Sequence, residues 1–173
     1  QNVAGIAIAA NDADALQPAL TEAMDAGIKV ISLDSAVNKD SRQTHIQQAD
    51  PEKIGRGLIQ AAYEMVDGNG GIAVLSATAQ ATNQNLWIEW MKKELEENPE
   101  KYANTPLVKV AYGDDDPTKS TSETQALLTD SSIKVIIAPT TVGMLAAGKV
   151  LQDKQSDVKL TGLGLPSEMA PFI

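Results

Sequence analysis

The chain has 173 residues and carries 14 Lys+Arg against 23 Asp+Glu, a formal net charge of -9. With 43% hydrophobic and 21% charged residues, it has the composition of a folded globular protein, and its length suits one domain or two small lobes. The acidity argues against nucleic-acid binding, and no apolar run approaches the roughly 20 residues that span a bilayer, so a membrane-embedded protein is not expected.

Residues that would support catalysis or metal binding are scarce. The chain has no cysteine and one histidine, His45, which excludes disulfides, thiol nucleophiles and multi-histidine metal sites. A Gly-x-Ser-x-Gly motif is absent, and the glycine-rich segments 68–71 and 162–164 do not match a phosphate loop. We therefore predict no catalytic residue, no metal site and no cofactor. His45 is expected to be a strand or hinge residue with a satisfied ring.

Short apolar runs recur along the chain and are rich in β-branched residues. In order they are 4–10, 28–34, 72–77, 107–112, 133–138 and 158–164. They barely alternate between apolar and polar residues, and most end in small or polar ones. This pattern is typical of strands that are covered on both faces, as in a parallel sheet.

Amphipathic stretches with helix start and stop signals separate these runs. Asn11 or Asp12 is predicted to cap a first helix that Gly27 ends. Asp50 and Asp116 each precede a proline, which predicts two further helix starts. The remaining predicted helices cover 83–98 and 142–153, and the helix after Asp116 reaches about residue 129.

The alternation of strands and helices predicts an α/β fold with doubly wound parallel sheets. The polar segment 35–50 interrupts the alternation and has a short strand-like centre at 44–46, as a crossing between two lobes would. We therefore expect residues 1–49 to form part of an N-terminal lobe, a βαβ unit plus the crossover. Residues 50–173 are expected to form a C-terminal lobe of αβαβαβαβ order with a following turn.

Ligands of such sheets bind beyond the carboxyl ends of the strands. Carboxylate, amide and hydroxyl side chains follow three of the predicted strands here, and the strand ends carry no cation. These groups suit hydrogen bonding to a polyol. The candidate ligand contacts are Asp34, Ser35, Asn83, Gln84, Pro139, Thr140 and Thr141.

Several of the candidates also have a simpler structural role that stays open. Asp34 can cap the local turn with Ser35, and Asn83 and a hydroxyl of the pair Thr140-Thr141 can cap helices. Other polar or aromatic groups are expected to be structural. The acidic run 113–117 is expected to be a solvated helix start capped by Asp116, since it lacks the spacing of a calcium loop. Trp87 and Trp90 are expected to pack within a helix and not to stack on a sugar.

Several segments together carry a family resemblance. They are the run from Gly5 through NDADALQPAL to AGIKVISLDS, then IQQADPEKIGRGL, ATNQNLWIEWMKK, APTTVGMLAAGKVLQ and GLGLPSEMAPFI. Their order resembles that of the type I periplasmic sugar-binding proteins of ABC transporters, and the rhamnose-binding and autoinducer-2-binding branch is the most similar. The resemblance spans nearly all of the chain.

The resemblance implies a two-lobed clamp that closes on one sugar and presents it to an ABC transporter permease; it leaves docking to a chemoreceptor open. It also implies a periplasmic or extracytoplasmic location, with a lipid anchor in a Gram-positive organism. Asp34 matches a family aspartate that holds ligand hydroxyls. Asn83-Gln84 stands where the autoinducer-2 branch has Asp-Gln, and Thr141 stands where the pentose branch is acidic. These departures favour a deoxyhexose such as rhamnose.

The resemblance further implies a chain truncated at both ends. The first βα units, which supply a basic or aromatic ligand contact, are expected before Gln1, and the return crossing and closing helix after Ile173. The alternative is the effector-binding core of a LacI-type transcriptional repressor, which shares the fold. A flavodoxin-like enzyme is a third possibility, for which the chain offers no phosphate loop or catalytic constellation.

Overall fold

The computed structural model describes residues 2–172, and Gln1 and Ile173, the outer ends of the two predicted lobes, lie outside the described residues. The strands are β1 (Gly5–Ile8), β2 (Lys29–Leu33), β3 (Thr44–Ile46), β4 (Gly71–Ser76), β5 (Leu107–Tyr112), β6 (Ile133–Ala138) and β7 (Lys159–Gly162). The α-helices are α1 (Gln17–Asp25), α2 (Pro51–Met65), α3 (Thr82–Glu97), α4 (Pro117–Leu127), α5 (Thr141–Asp153) and α6 (Pro166–Met169). Short 3-10 helices cover Lys39–Ser41 and Ala170–Phe172.

The strands form two separate sheets. One has the order β1-β2-β3 and the other the order β5-β4-β6-β7, and every pairing is parallel. All six apolar runs form strands, and so does the short segment at 44–46. The predicted α/β fold with parallel sheets is therefore confirmed.

The first sheet carries a small core of its own. Val30 of the central strand is fully buried and clusters with Ala10, Leu20 and Val37. Leu20 lies on α1, which therefore contributes its apolar side to this core. These contacts fix the end of β2, where the first candidate site residues follow.

Helix α1 begins later than predicted. The carboxylate of Asp12 accepts hydrogen bonds from the backbone N–H groups of Asp14 and Ala15, at 2.8 and 3.0 Å, and so closes a turn ahead of the helix. The expectation that Asn11 or Asp12 caps α1 is wrong, because this local turn uses the side chain instead. The predicted end is confirmed: Gly27 follows the helix with φ 86°, in the left-handed region.

The second sheet is covered on both faces, which explains its apolar strands. All six residues of β4 are buried. One face packs on α2 and α3 through Ile59, Trp87 and Met91, and the other face packs on α4 and α5 through Leu127 and Ala147. The absence of period-two alternation in this sequence segment is the direct result of these two helix layers.

Aspartate caps and prolines start two of the helices, as predicted. The Asp50 carboxylate accepts from the backbone N–H of Glu52 at 3.0 Å, directly before Pro51. The Asp116 carboxylate accepts from the N–H of Lys119 at 2.7 Å, directly before Pro117. Each cap satisfies an N–H group that has no partner inside the helix, so the turn before each helix is well defined.

An ionic cluster joins α2 to α3. Arg56 donates to Glu94 at 2.6 Å and contacts Glu52 and Glu97 at 2.9 and 2.7 Å. The Tyr102 hydroxyl donates to Glu94 at 2.9 Å. Burial of Glu94 on its own raises the pKa of this carboxyl, but the hydrogen bonds from Arg56 and Tyr102 outweigh burial and hold the pKa below its usual value.

The lowered pKa of Glu94 predicts a pH-dependent contribution to stability. The contribution is complete above the pKa of the unfolded chain, near 4.5, and is lost as the pH falls through the lower folded-state pKa. We expect Glu94→Gln to reduce the free energy of unfolding in urea at pH 7, and the gap to the wild type to narrow at pH 3. The control is Glu89→Gln, because Glu89 is 58% exposed and, among residues 2–172, forms an ion pair with Lys93 alone. A gap for Glu94→Gln that does not change with pH would contradict this assignment.

Candidate functional site

A cavity of about 310 Å³ lies where the carboxyl ends of the strands of both sheets face each other. Its size is at the lower end of the range for small-molecule sites, about 300–1,000 Å³. We refer to it as the cleft. It is lined by Asp34, Asn83, Gln84, Trp87, Asp115, Pro139, Thr140, Thr141, Val142 and Leu163.

A larger hollow of about 540 Å³ lies at the opposite edge of the second sheet, between Met65, Gln155 and Phe172. It is next to the beginning of β7 and to the ends of α2 and α5, where a doubly wound sheet does not bind its ligands. The cleft is therefore the better candidate site. It is smaller, but it combines polar groups that follow the strands of both sheets at the expected edge.

The cleft brings together six of the seven predicted contact residues. The first is Asp34, which directly follows β2 and has φ 57°. Its Oδ1 accepts hydrogen bonds from the side-chain amides of Gln48 and Asn83, the latter at 3.1 Å. Since neither partner lies in the turn with Ser35, Asp34 does more than cap its local turn. Oδ2 has no partner among the described residues and remains available as an acceptor.

Ser35 lies outside the cleft. Its side chain is 6% exposed, and its hydroxyl is 3.2 Å from the hydroxyl of Thr82, at the start of α3. The Thr82 hydroxyl also accepts from the backbone N–H of Ala36 at 2.9 Å. In this structure Ser35 therefore helps to join the segment after β2 to the start of α3, and it does not line the cleft.

Asn83 and Gln84 lie in the first turn of α3, but neither caps the helix. The N-cap position is Ala81, which has no side-chain cap. Asn83 instead donates to Asp34, which follows β2 of the first sheet, and accepts from the backbone N–H of Gln84 at 2.7 Å. The alternative of Asn83 as an N-cap is wrong, because the N-cap position is Ala81 and Asn83 already lies inside the helix.

The buried amide of Gln84 has a fixed orientation. Its Oε1 accepts from the Ser76 hydroxyl at 2.7 Å and from the backbone N–H of Ala77 at 2.8 Å. Both donors lie at or just beyond the end of β4. Because they identify Oε1 as the acceptor, the Nε2 group is the remaining donor, and no described residue accepts from it. Gln84 is thus suited to donate to a ligand hydroxyl.

Pro139, Thr140 and Thr141 connect β6 to α5 and line the cleft. Thr140 is the N-cap residue, yet its side chain makes no cap hydrogen bond. The hydroxyl donates to the carboxylate of Asp115 instead. The alternative of helix capping by the Thr140 hydroxyl is therefore wrong, because this side chain is turned toward Asp115 and its oxygen accepts no hydrogen bond from a helix N–H group.

The sequence analysis missed Asp115 as a cleft residue. It was expected to belong to a solvated acidic run, and for Asp116, which caps α4, this expectation is confirmed. Asp114 and Asp115 have φ values of 55° and 51° in succession, and Asp115 lies at the cleft beside Thr140. The available signal was its position just beyond β5, at the same sheet edge as the other candidates.

The two tryptophans pack as expected. Trp87 is 2% exposed and belongs to the core, and it also lines the cleft. Its indole N–H has no hydrogen-bond partner among the described residues. Trp90 lies beneath the cations of Lys93 and Arg56, at 4.2 and 5.2 Å from the ring centre.

His45 has a satisfied ring, with Nδ1 2.9 Å from the Ser32 hydroxyl, as predicted.

The charged side chains that line the cleft are all acidic. Its lining contains two carboxylates, Asp34 and Asp115, and no Lys, Arg or His among the described residues. The cleft can therefore accept hydrogen bonds from hydroxyl groups and donate through amide and hydroxyl groups.

Within residues 2–172, no group of three or more potential metal ligands occurs and no helix is long and apolar enough to cross a membrane.

A family model described as the periplasmic binding protein domain matches residues 1–173. An ABC transporter solute-binding protein from Clostridium phytofermentas with bound L-rhamnose is 54% identical, with a TM-score of 0.93, over 100% of this chain and 54% of that one. A sugar ABC transporter protein from Actinomyces odontolyticus is 42% identical (TM-score 0.68; 97% and 55% covered). LsrB from Clostridium saccharobutylicum in complex with AI-2 is 25% identical (TM-score 0.87; 99% and 56% covered). The chain thus spans about half the length of these structures.

Proposed function

The chain belongs to the periplasmic binding protein domain family, and from this membership we propose that it is part of the extracytoplasmic solute-binding protein of a carbohydrate ABC transporter. In this proposal the protein binds a neutral sugar between two lobes, 1–49 and 50–173, and delivers it to a membrane permease. It has no catalytic role. The preferred ligand is a deoxyhexose of the L-rhamnose type.

One observation carries the proposal: side chains from both sheets converge on a single cleft. Asp34 comes from the first lobe, and Gln84 and Thr141 come from the second. A ligand that contacts both sets binds the closed arrangement better than an open one, so it shifts the equilibrium toward closure. The 54% identity to a protein with bound L-rhamnose supports the choice of sugar.

The hydrogen-bonding groups suffice for useful affinity. A hydrogen bond to a charged group contributes about 1.5–3 kcal/mol. A few such bonds, made from both lobes, reach the roughly -8 kcal/mol that corresponds to micromolar binding. No cation is needed for this, which fits a ligand without a carboxylate or phosphate.

A ligand panel tests the proposed function directly. We expect L-rhamnose to raise the midpoint of thermal unfolding of the full-length protein by several degrees, because a ligand at 100 times its Kd adds about 2.7 kcal/mol to stability. Other deoxyhexoses, pentoses and autoinducer-2 serve as the comparison set and should give smaller shifts. Absence of a shift with every sugar would contradict the proposal. A helix-turn-helix segment upstream in the full-length sequence would instead favour the LacI-type alternative.

A further inference from the structure

Asp115 occupies an unusual position for a residue in an exposed acidic run. It is partly buried and lines the cleft, whereas its neighbours Asp114 and Asp116 are exposed. Asp114 forms an ion pair with Lys119, and Asp116 caps α4. Asp115 is thus the only one of the three aspartates whose carboxylate is directed into the second lobe's part of the cleft.

The Thr140 hydroxyl holds this carboxylate by donating to its Oδ1. The other oxygen of Asp115 has no partner among the described residues, so it can accept a hydrogen bond from a ligand. The first lobe offers the same arrangement, since Oδ1 of Asp34 accepts from Asn83 and Gln48. Each lobe therefore contributes one anchored carboxylate with an unused oxygen.

We propose that Asp115 is a specificity-determining residue of the cleft that selects uncharged polyhydroxy ligands and rejects their anionic counterparts. This inference rests on the proposed sugar-binding function. A ligand hydroxyl donates to the unused oxygen of Asp115, a charge-assisted hydrogen bond. A sugar acid of the same shape instead brings its carboxylate close to two like charges, with no cation in the lining to offset them. Thr140 acts as a positioning residue for Asp115.

The left-handed backbone at Asp115 determines which substitution is informative. Asparagine adopts positive φ about as readily as aspartate, so Asp115→Asn removes the charge without straining the turn. Asp114→Asn is a matched control: it makes the same chemical change in the adjacent residue, also at positive φ, but its side chain is 46% exposed and points to Lys119. The surface ion pair that it removes contributes little.

Calorimetry on the full-length protein with L-rhamnose and with L-mannuronate, the same pyranose with a carboxylate in place of the C6 methyl group, tests the inference. For the wild type we expect binding of L-rhamnose and at least a hundredfold weaker binding of L-mannuronate. Asp115→Asn is expected to weaken L-rhamnose binding about tenfold and to reduce the discrimination against the acid by tenfold or more. Asp114→Asn should leave both values within about twofold of the wild type.

The outcomes separate this inference from the function on which it rests. If the wild type binds L-rhamnose and Asp115→Asn keeps both the affinity and the discrimination, the role of Asp115 is wrong and the sugar-binding function stands. If the wild type binds no neutral sugar, the function is wrong and the inference with it. Should Asp115→Asn fold poorly, Thr140→Val provides the test, because it leaves the charge but removes the donor that positions it. We expect a severalfold loss of L-rhamnose affinity together with a severalfold smaller discrimination against the acid. Because Thr140 itself lines the cleft, the discrimination is the deciding readout, and an unchanged discrimination would overturn the inference.

Discussion

Replacing Asp34 by alanine in the full-length protein is expected to weaken sugar binding tenfold or more. The change removes the carboxylate that the first lobe contributes to the cleft, and with it the acceptor for Gln48 and Asn83. A hydrogen bond to a charged group contributes about 1.5–3 kcal/mol, and each 1.4 kcal/mol corresponds to a factor of ten in Kd. Isothermal titration calorimetry with L-rhamnose measures the effect.

Asp67→Ala is the matched control for this experiment. Asp67 is an exposed aspartate with φ 50°, close to the 57° of Asp34, so both substitutions place alanine in the left-handed region at a similar cost to folding. Asp67 lies in the turn after α2, at the other edge of the sheet and outside the cleft. An affinity loss confined to Asp34→Ala therefore reports on the carboxylate. Unchanged calorimetric affinity would remove Asp34 from the site.

The sheets could be predicted from the sequence because burial on two faces has a simple signature. Strand β6, with five of its six residues buried, is an almost continuous apolar run. The strand ends follow from the runs, and parallel strands of one sheet place their carboxyl ends at one edge, so Gln84 and Thr141 could be predicted to lie near each other. That Asp34 of the other sheet faces them was expected only from the family resemblance, because nothing in the runs specifies how two sheets are arranged. The order β5-β4-β6-β7 was not predicted, since pairing depends on contacts between segments far apart in the chain.

Side-chain direction was harder to predict than position. A hydroxyl at a helix start can cap the helix or contact another group, and for Thr140 the choice depends on Asp115, 25 residues away in the sequence. Likewise, nothing local to Asp114 and Asp115 specifies two successive residues in the left-handed region, which aspartate tolerates but does not require. The missed cleft residue, Asp115, and the wrong capping assignment for Thr140 therefore have one cause. It is the contact between these two residues, which follow the ends of β5 and β6.

Gly162 at the end of β7 is the glycine for which a substitution is expected to cost most. Its φ is 150°, and a Cβ placed there would meet the carbonyl oxygen of Ala138 at 2.0 Å and its carbonyl carbon at 2.6 Å. These are backbone atoms of the neighbouring strand, so they cannot rotate away. Overpacking costs about 1–3 kcal/mol and backbone strain about 1–3 kcal/mol. We therefore expect Gly162→Ala to lower the free energy of unfolding by about 3 kcal/mol or more, measured in urea.

The same substitution is expected to weaken sugar binding, because Ala138 directly precedes Pro139 and its carbonyl accepts from Leu163 at 3.0 Å. A shift of this strand end moves Pro139 and Leu163, which both line the cleft. Gly57→Ala is the control: Gly57 is exposed on α2, a Cβ there meets nothing within 4 Å, and alanine should stabilise the helix by about 0.5–1 kcal/mol. Packed strands resist displacement by even one methyl group, so a loss of both stability and affinity is expected for Gly162→Ala. A free energy of unfolding within about 1 kcal/mol of the wild type, together with unchanged L-rhamnose affinity, would contradict the idea that β6 and β7 hold the cleft segment in place.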